Sequence, residues 1–481
     1  MPCAPPRFIA ALLAVSVLGI AVTARAAEEE SGKIKLGGSW RLRIETWDWF
    51  EPHGNFDNDY TFVGSLLKGN VSQKTRYLDW MIELSQPTLL NLPKDAIAPA
   101  PEGQLGPGAA YYANNRGQDG TLFIHQGYVR LKNLLSEHSS LKLGRFEFSE
   151  GMEAMPSDPT LAWLKQKRIA EHLLSGFLYP TVQTAFDGAQ YVWDSPKLNV
   201  DLLAARLTSG AFRLNGWDEL DVNAYYGAVT VPLPQSQARV FVLNTTDTRD
   251  AAVKVDNRPA AARAADSGDV VVTTFGANYF GAWDLGPGKI DLLGWGCVQR
   301  GDWGALAHRA WAFNLEAGYQ LPDVPWKPWL RAGWGRASGD DNPGDDTHGT
   351  FFPHIAARLY ARMPFYTNPM NNEDLFVQLL LRPTNAIEVR LDAHRLRLSE
   401  REDFWYTGAY AFRNDAFGFT GRPSNGHNQL SNVIDLGIDY KLTPRTRISA
   451  YAAHAFGGDV TRAIYASNEA SFFSLELFCT F

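Results

Sequence analysis

The chain has 481 residues, of which 45% are apolar, 20% charged and 12% aromatic, and its formal charge is −7. That composition excludes a disordered or fibrous protein, and the acidic balance gives no basic footprint for nucleic acid. A mean hydropathy of −0.23 excludes a bundle of membrane helices, and three cysteines with no CxxC pair exclude a disulfide scaffold or a zinc ribbon.

Residues 1–26 read as a secretory signal. Arg7 charges the n-region, Ile9 to Val22 is an apolar stretch of 14 residues, too short for a comfortable span, and Ala24-Arg25-Ala26 is a small-x-small cleavage site. Residues 27–481 are then one exported unit, which retains Cys297 and Cys479. The first strand signal follows soon after, leaving no room for an N-terminal plug module.

From Ile34 onward the dominant signal is period 2. Ile34, Leu36, Trp40, Leu42 and Ile44 share one parity, and Lys35, Ser39, Arg41, Arg43 and Glu45 the other. Leu78, Trp80, Ile82 and Leu84 oppose Asp79 and Glu83; Trp311, Phe313, Leu315, Ala317 and Tyr319 oppose Asn314 and Glu316. The same alternation recurs at 387–394 and 434–441. Strands are predicted near 34–48, 58–68, 74–86, 121–132, 139–148, 186–194, 197–209, 221–231, 236–246, 270–283, 288–298, 306–320, 326–338, 372–382, 385–398, 431–441, 445–457 and 470–481.

Strands of about 10 residues suit a tilted transmembrane strand better than a soluble sandwich. Connections after even-numbered strands are tight, as at Ser195-Pro196, Pro383-Thr384 and Thr443-Pro444. Most of those after odd-numbered strands are long: 87–120, 149–185, 247–269, 339–371 and 399–430. The pattern predicts an all-β protein, a transmembrane antiparallel barrel of about 18 strands with short periplasmic turns and long extracellular loops. In the last strand Phe473, Leu475, Leu477, Cys479 and the terminal Phe481 share one face, which resembles the insertion signal of bacterial outer-membrane proteins. Trp40, Trp47, Trp49, Trp80, Trp193, Trp295, Trp311, Trp329 and Trp334 lie on or beside strands, where interface girdles would use them.

Four segments resemble the alginate-export family of outer-membrane proteins: Tyr77-Leu78-Asp79-Trp80, Leu141-Lys142-Leu143-Gly144-Arg145-Phe146, Asp158-Pro159-Thr160-Leu161-Ala162-Trp163-Leu164-Lys165, and Ala337-Ser338-Gly339-Asp340-Asp341-Asn342-Pro343 with Gly349-Thr350-Phe351 after it. The resemblance implies an 18-stranded barrel whose lumen passes an anionic polysaccharide through an arginine-rich constriction.

Three candidate sites stand out. In loop 149–185, Leu161, Leu164, Ile169, Leu173 and Leu174 recur at helical spacing beside Lys165, Lys167 and Arg168. Folded into the lumen, these cations form a constriction that attracts uronates; left outside, they are the solvated face of an external helix. Arg41, Arg43, Arg130, Arg331 and Arg390 fall on the inward parity, and a ladder of guanidinium forks suits carboxylates. Glu45, Asp79, Glu83, Glu316, Glu388, Asp392, Asp435 and Asp439 share that parity, so a wall braced by its own ion pairs is the alternative. Asp340, Asp341, Asp345 and Asp346 are donors of the type Ca²⁺ takes, although Pro343-Gly344 breaks the EF-hand pattern and the same residues build turns.

The expected function is passive passage of an anionic polysaccharide such as alginate, or of acidic oligosaccharides, across the bacterial outer membrane. A general or substrate-selective diffusion porin is the alternative. A barrel-embedded enzyme would need a nucleophile and a base in hydrogen-bond reach, and no Ser–His arrangement singles itself out; an adhesin would use the long loops alone. No enzymatic step and no cofactor are expected. The expected partners are the anionic saccharide, outer-membrane lipid and periplasmic export proteins.

Overall fold

The computed structural model describes residues 32–355 and 363–481, so the signal segment 1–26 lies outside the described residues. Eighteen antiparallel strands close into one barrel. They are β1 (Ile34–Asp48), β2 (Asp59–Lys74), β3 (Leu78–Leu90), β4 (Phe123–Lys132), β5 (Ser139–Phe146), β6 (Phe186–Ser195), β7 (Leu198–Thr208), β8 (Glu219–Leu233) and β9 (Ser236–Asp247). There follow β10 (Val270–Leu285), β11 (Gly288–Trp303), β12 (Leu306–Gln320), β13 (Trp329–Ala337), β14 (Asn372–Thr384), β15 (Ile387–Leu398), β16 (Gln429–Thr443), β17 (Thr446–Gly457) and β18 (Glu469–Thr480). The seam is β18 against β1, in register from Ser39↔Thr480 to Asp48↔Ser471. Beyond it Gly38 and Phe481 exchange two backbone hydrogen bonds of 3.0 Å. Hydrocarbon offers no partner to a backbone N–H or C=O, so a sheet in lipid must close.

The two rims differ as the alternation of connections predicts. One carries the short turns, such as 75–77, 196–197 and 385–386; the other carries 91–122, 147–185, 248–269, 338–371 and 399–428. Gly304-Ala305 is a tight turn on the long-loop rim. Three strands run further than their sequences suggest, and the first of them, β11, continues to Trp303 rather than stopping near 298, paired with β10 and β12. Gly69-Asn70 has turn composition, yet β2 continues to Lys74 because β1 supplies partners down to Ile34↔Gln73. Likewise β3 runs through Pro87, two residues past Ser85, the last of its residues paired with β4.

The outer face is apolar, with Leu315, Leu391, Leu436 and Leu475 exposed on it. Trp40, Trp80, Trp193, Trp311 and Trp334 lie on that outward parity. Trp47, Trp49, Trp295 and Trp329 do not: all four are buried inside the barrel. The expected girdle therefore has fewer tryptophans than the sequence offers. The reason is that the long loops turn inward over the mouth and need an apolar core of their own. Trp49 stacks on Trp405 with ring centroids 6.5 Å apart, and Phe50 stacks on Tyr465 at 5.3 Å. Tyr366, Tyr406 and Tyr410 are fully buried in the same cluster.

Leu391 sits near the middle of β15 on the lipid face. Leu391→Arg is expected to cost about 2–4 kcal/mol of folding stability, read by denaturant titration in lipid vesicles; an unchanged midpoint would place this face away from hydrocarbon.

Candidate functional site

The segment between β5 and β6 folds into the lumen. Asp158 caps its helix Pro159–Leu164 by accepting from Thr160 N at 2.8 Å and Leu161 N at 2.9 Å, and Pro159 takes the first helical position. A π-helical turn, Lys165–Ile169, continues it. Leu161, Leu164, Ile169, Leu173 and Leu174 are all buried. At the far end of the loop, Thr181 packs on Gly64 of β2 so closely that a Cβ there would lie 2.2 Å from Thr181 Oγ1.

One side of this loop is sealed against β8–β13 by ion pairs. Arg168 Nε donates to Glu316 Oε2 at 2.7 Å, and Arg331 Nη2 donates to the same oxygen at 2.7 Å. Arg331 also binds Asp291. Arg239 Nη2 meets Glu150 at 2.8 Å and its Nη1 meets Glu153 at 3.3 Å, while Tyr226 donates to Glu153 at 2.6 Å. Lys165 Nζ donates to Gln237 Oε1 at 2.5 Å. Burial pushes the Lys165 amine, on the loop and outside the strands, down to about 7. The other side of the loop is pinned to β1. Arg41 Nη1 donates to Leu178 O at 2.6 Å, Arg41 Nη2 reaches Pro180 O, and Arg43 Nη2 donates to Tyr179 O at 2.7 Å.

Between the loop and β15–β18 remains a cavity of about 460 Å³. Lys167 and Glu171 face it from the loop; Arg43, Arg390, Arg447, Asp439 and Glu476 face it from the wall. Tyr111, Tyr179, Phe212, Phe365 and Tyr451 supply ring surface. Arg43 donates to Glu45 at 2.8 Å and Glu476 at 3.3 Å, with its guanidinium 4.0 Å above the Tyr179 ring. A second cavity, of about 650 Å³, opens by β4–β7 and is lined by Arg130, Lys132, Lys142, Glu147 and Asp201 among others.

The eight basic residues expected along the pore thus separate. Arg43, Lys167 and Arg390 line the 460 Å³ cavity, Arg130 lines the second cavity, and Arg41 ties down the loop. Lys165, Arg168 and Arg331 are corrected: each is buried between loop and wall, because a charge sealed from water needs a partner in place. Arg239 and Arg447 were missed, although both lie on inward parity and were open to the same reading as Arg331.

The aspartates of loop 338–371 also behave as turn residues. Buried Asp340 accepts from Asn342 N at 3.0 Å and Gly349 N at 3.2 Å, and Asp345 accepts from Thr347 N at 2.8 Å, while Asp341, Asp345 and Asp346 stay exposed. They are absent from the donor groups that converge closely enough for a metal among the described residues. The expected calcium set does not assemble here: Asp340 and Asp345 spend oxygens on backbone N–H groups, and Asp341 and Asp346 point to solvent without converging on them. Cys297 and Cys479 are free thiols.

A sequence model described as alginate export matches residues 118–473, well over half of the chain. The chain belongs to the alginate-export family. No curated protein matches it. Among solved structures it is similar to Pseudomonas aeruginosa OccK9 (OpdG), with a TM-score of 0.55 at 12% identity, covering 94% of this chain and 99% of that one. Acinetobacter baumannii OccAB1 gives 0.54 at 10% identity, with 94% and 99% covered. Pseudomonas aeruginosa OpdK with vanillate gives 0.52 at 11% identity, with 93% and 98% covered. At such identities the likeness is one of fold. Family and fold together make this protein a bacterial outer-membrane channel.

Arg239→Leu leaves Glu150 and Glu153 buried without their countercharge. It is expected to weaken loop docking by about 3–5 kcal/mol, seen as faster hydrogen exchange across 149–185. A second expectation concerns the mouth. Asp403 accepts from Thr350 Oγ1 at 2.6 Å, Tyr406 OH at 2.7 Å and Asp340 N at 3.0 Å. Burial nevertheless pushes its carboxyl up from 3.8 to about 7. The folded state then holds a proton that the unfolded chain has released, so this contribution is complete below about pH 4 and lost as pH rises through 7. Exchange in 338–355 and 399–428, corrected for its intrinsic pH dependence, should quicken over that window in the wild type and stay flat in Asp403→Asn.

Proposed function

We propose that the channel is selective for acidic carbohydrates, passing uronate-type oligosaccharides and, by rearrangement of the inward loop, alginate-like polyanions. The observation that carries this reading is the composition of the 460 Å³ cavity, whose lining combines guanidinium groups with aromatic rings. Forked donors such as Arg43 and Arg447 suit carboxylates, and ring faces suit the apolar faces of sugars. The family supports the reading. Vanillate, named with OpdK, is likewise a small carboxylate with a ring. The mechanism is diffusive and involves no bond making, no cofactor and no enzymatic step. Carboxylates of a solute compete with Glu45 and Glu476 for the arginines, and this exchange of partners keeps residence short.

A general diffusion porin is favoured by one feature: Glu45, Glu171, Asp439 and Glu476 balance the cations of the passage. Planar-bilayer recording separates the two. Oligouronates are expected to block the channel at micromolar concentration, and Lys167→Glu with Arg447→Glu should weaken that block at least tenfold. Block of equal strength by neutral oligosaccharides, or none by either, would leave a general porin. Absence of conductance would favour an adhesin.

A further inference from the structure

The outer wall of the barrel carries a pattern of charge of its own at the long-loop rim. On β11 the outward residues Leu292 and Val298 are exposed, and Arg300 follows Val298 on the same parity. On β12 Arg309 precedes the outward residues Trp311 and Leu315. On β13 Arg336 follows Trp334, and on β15 Arg395 and Arg397 follow Leu391. All five arginines thus stand near the extracellular ends of their strands, just past the apolar face. Arg300, Arg309 and Arg395 are exposed, and Arg336 and Arg397 are half-buried.

The ladder sets Arg300 directly across from Arg309, where Cβ atoms lie about 5 Å apart and like charges repel. Arg300 Nη1 donates to the Gln299 carbonyl at 2.7 Å, which leaves both charges uncompensated. Asp302 shares this face and forms no ion pair with either. Arg397 is paired in the ladder with Glu373, but the Glu373 carboxylate lies 3.8 Å from Arg336 Nε, and Glu400 lies 3.7 Å from Arg336 Nη2. Among the described residues Arg300, Arg309, Arg395 and Arg397 therefore have no carboxylate in ion-pair reach. The rest of the rim has the opposite sign. Asp48 and Asp59 face each other across β1–β2, Glu469 opens β18, and Glu219 and Asp221 of β8 hold Arg206 of β7 at 3.8 and 3.7 Å. The unpaired basic sector is confined to β11–β15.

We propose that the β11–β15 sector binds a phosphorylated lipid of the outer leaflet, with one phosphate between Arg300 and Arg309 and another at Arg395 and Arg397. Trp311 and Trp334 mark the depth, because outward tryptophans collect at headgroup level. A guanidinium offers a fork of donors that fits phosphate oxygens, and its apolar stem lies along the sheet while the head reaches the interface. A phosphate between Arg300 and Arg309 removes their mutual repulsion, and the acyl chains then lie on Val298, Leu375 and Leu391, all exposed on the outer face. A second copy presenting Asp48, Asp59 and Glu469 is the competing occupant. Lipid fits better, because the arginines follow the edge of the apolar face around a convex wall that lipid surrounds. The assignment rests on the outer-membrane location and not on which solute the channel carries.

The test is native mass spectrometry of the mature protein folded in detergent and titrated with diphosphoryl lipid A. The wild type should retain the lipid as a discrete adduct. Arg300→Gln with Arg309→Gln should weaken retention about 10- to 50-fold, and Arg395→Gln with Arg397→Gln by a similar factor. Arg206→Gln, in the acidic sector, should leave it unchanged. Lipid A stripped of both phosphates should bind the wild type no better than the intact lipid binds the double variants, and millimolar inorganic phosphate should not displace the adduct. Heat-modifiable migration on gels reports whether each variant folds, and the comparison of the two lipids needs no variant. Retention that ignores the phosphates or survives in both folded double variants, displacement by inorganic phosphate, or a dimer mass in place of the lipid adduct overturns the proposal.

Discussion

Hydrocarbon cannot hydrogen-bond to a peptide, and the rest of this structure follows from that constraint. A sheet that enters the membrane must pair its first strand with its last, as β1 and β18 do from Ser39↔Thr480 to Asp48↔Ser471. Eighteen strands enclose a lumen wider than side chains from the wall can fill. The chain therefore fills it with the β5–β6 segment, and a segment brought inside must find partners for every polar group it carries. The Arg239–Glu150–Glu153 and Arg331–Glu316–Arg168 clusters meet this need on one side, and the Arg41 and Arg43 contacts to carbonyls 178–180 meet it on the other.

The two sides of the loop do different electrostatic work. Buried pairs such as Arg331–Asp291 gain little net stability after desolvation, but breaking one is costly, so they act as a latch on geometry. On the passage side the same residue types remain in contact with solvent. Arg447 is exposed and Lys167 half-buried, so both lie within reach of solvent at the cavity wall. The distinction between latch and selector lies in burial, not in residue type.

The extracellular mouth repeats this logic with apolar chemistry. Loops that fold back over a lumen need a core, and Trp49, Trp405, Tyr366 and Tyr410 form it. Solved porins share the barrel with about a tenth of the sequence in common. Outward alternation of apolar residues is enough for the architecture, whereas cargo depends on the few side chains that reach the passage.

The barrel was legible because its rule is local. Period-2 alternation and the lengths of turns can be counted along the chain, and they located all eighteen strands, with β2, β3 and β11 misjudged most at their ends. The ladder carried β2 past Gly69-Asn70 and β3 past Pro87, since pairing with a neighbour outweighs turn composition. Parity likewise showed which charges face inward. Its limit is that inward has two meanings inside a barrel this wide. Lys165 and Lys167 are two residues apart, yet one is sealed against Gln237 and the other lines the passage. Trp47 and Trp40 lie on one strand, and only Trp40 faces outward. By itself the sequence determined the sheet, its closure and the side on which each strand residue lies, because these follow from spacing. Tertiary structure alone decided which charges are latched and which line the cavity, because a loop folding across a lumen joins residues that no spacing rule connects.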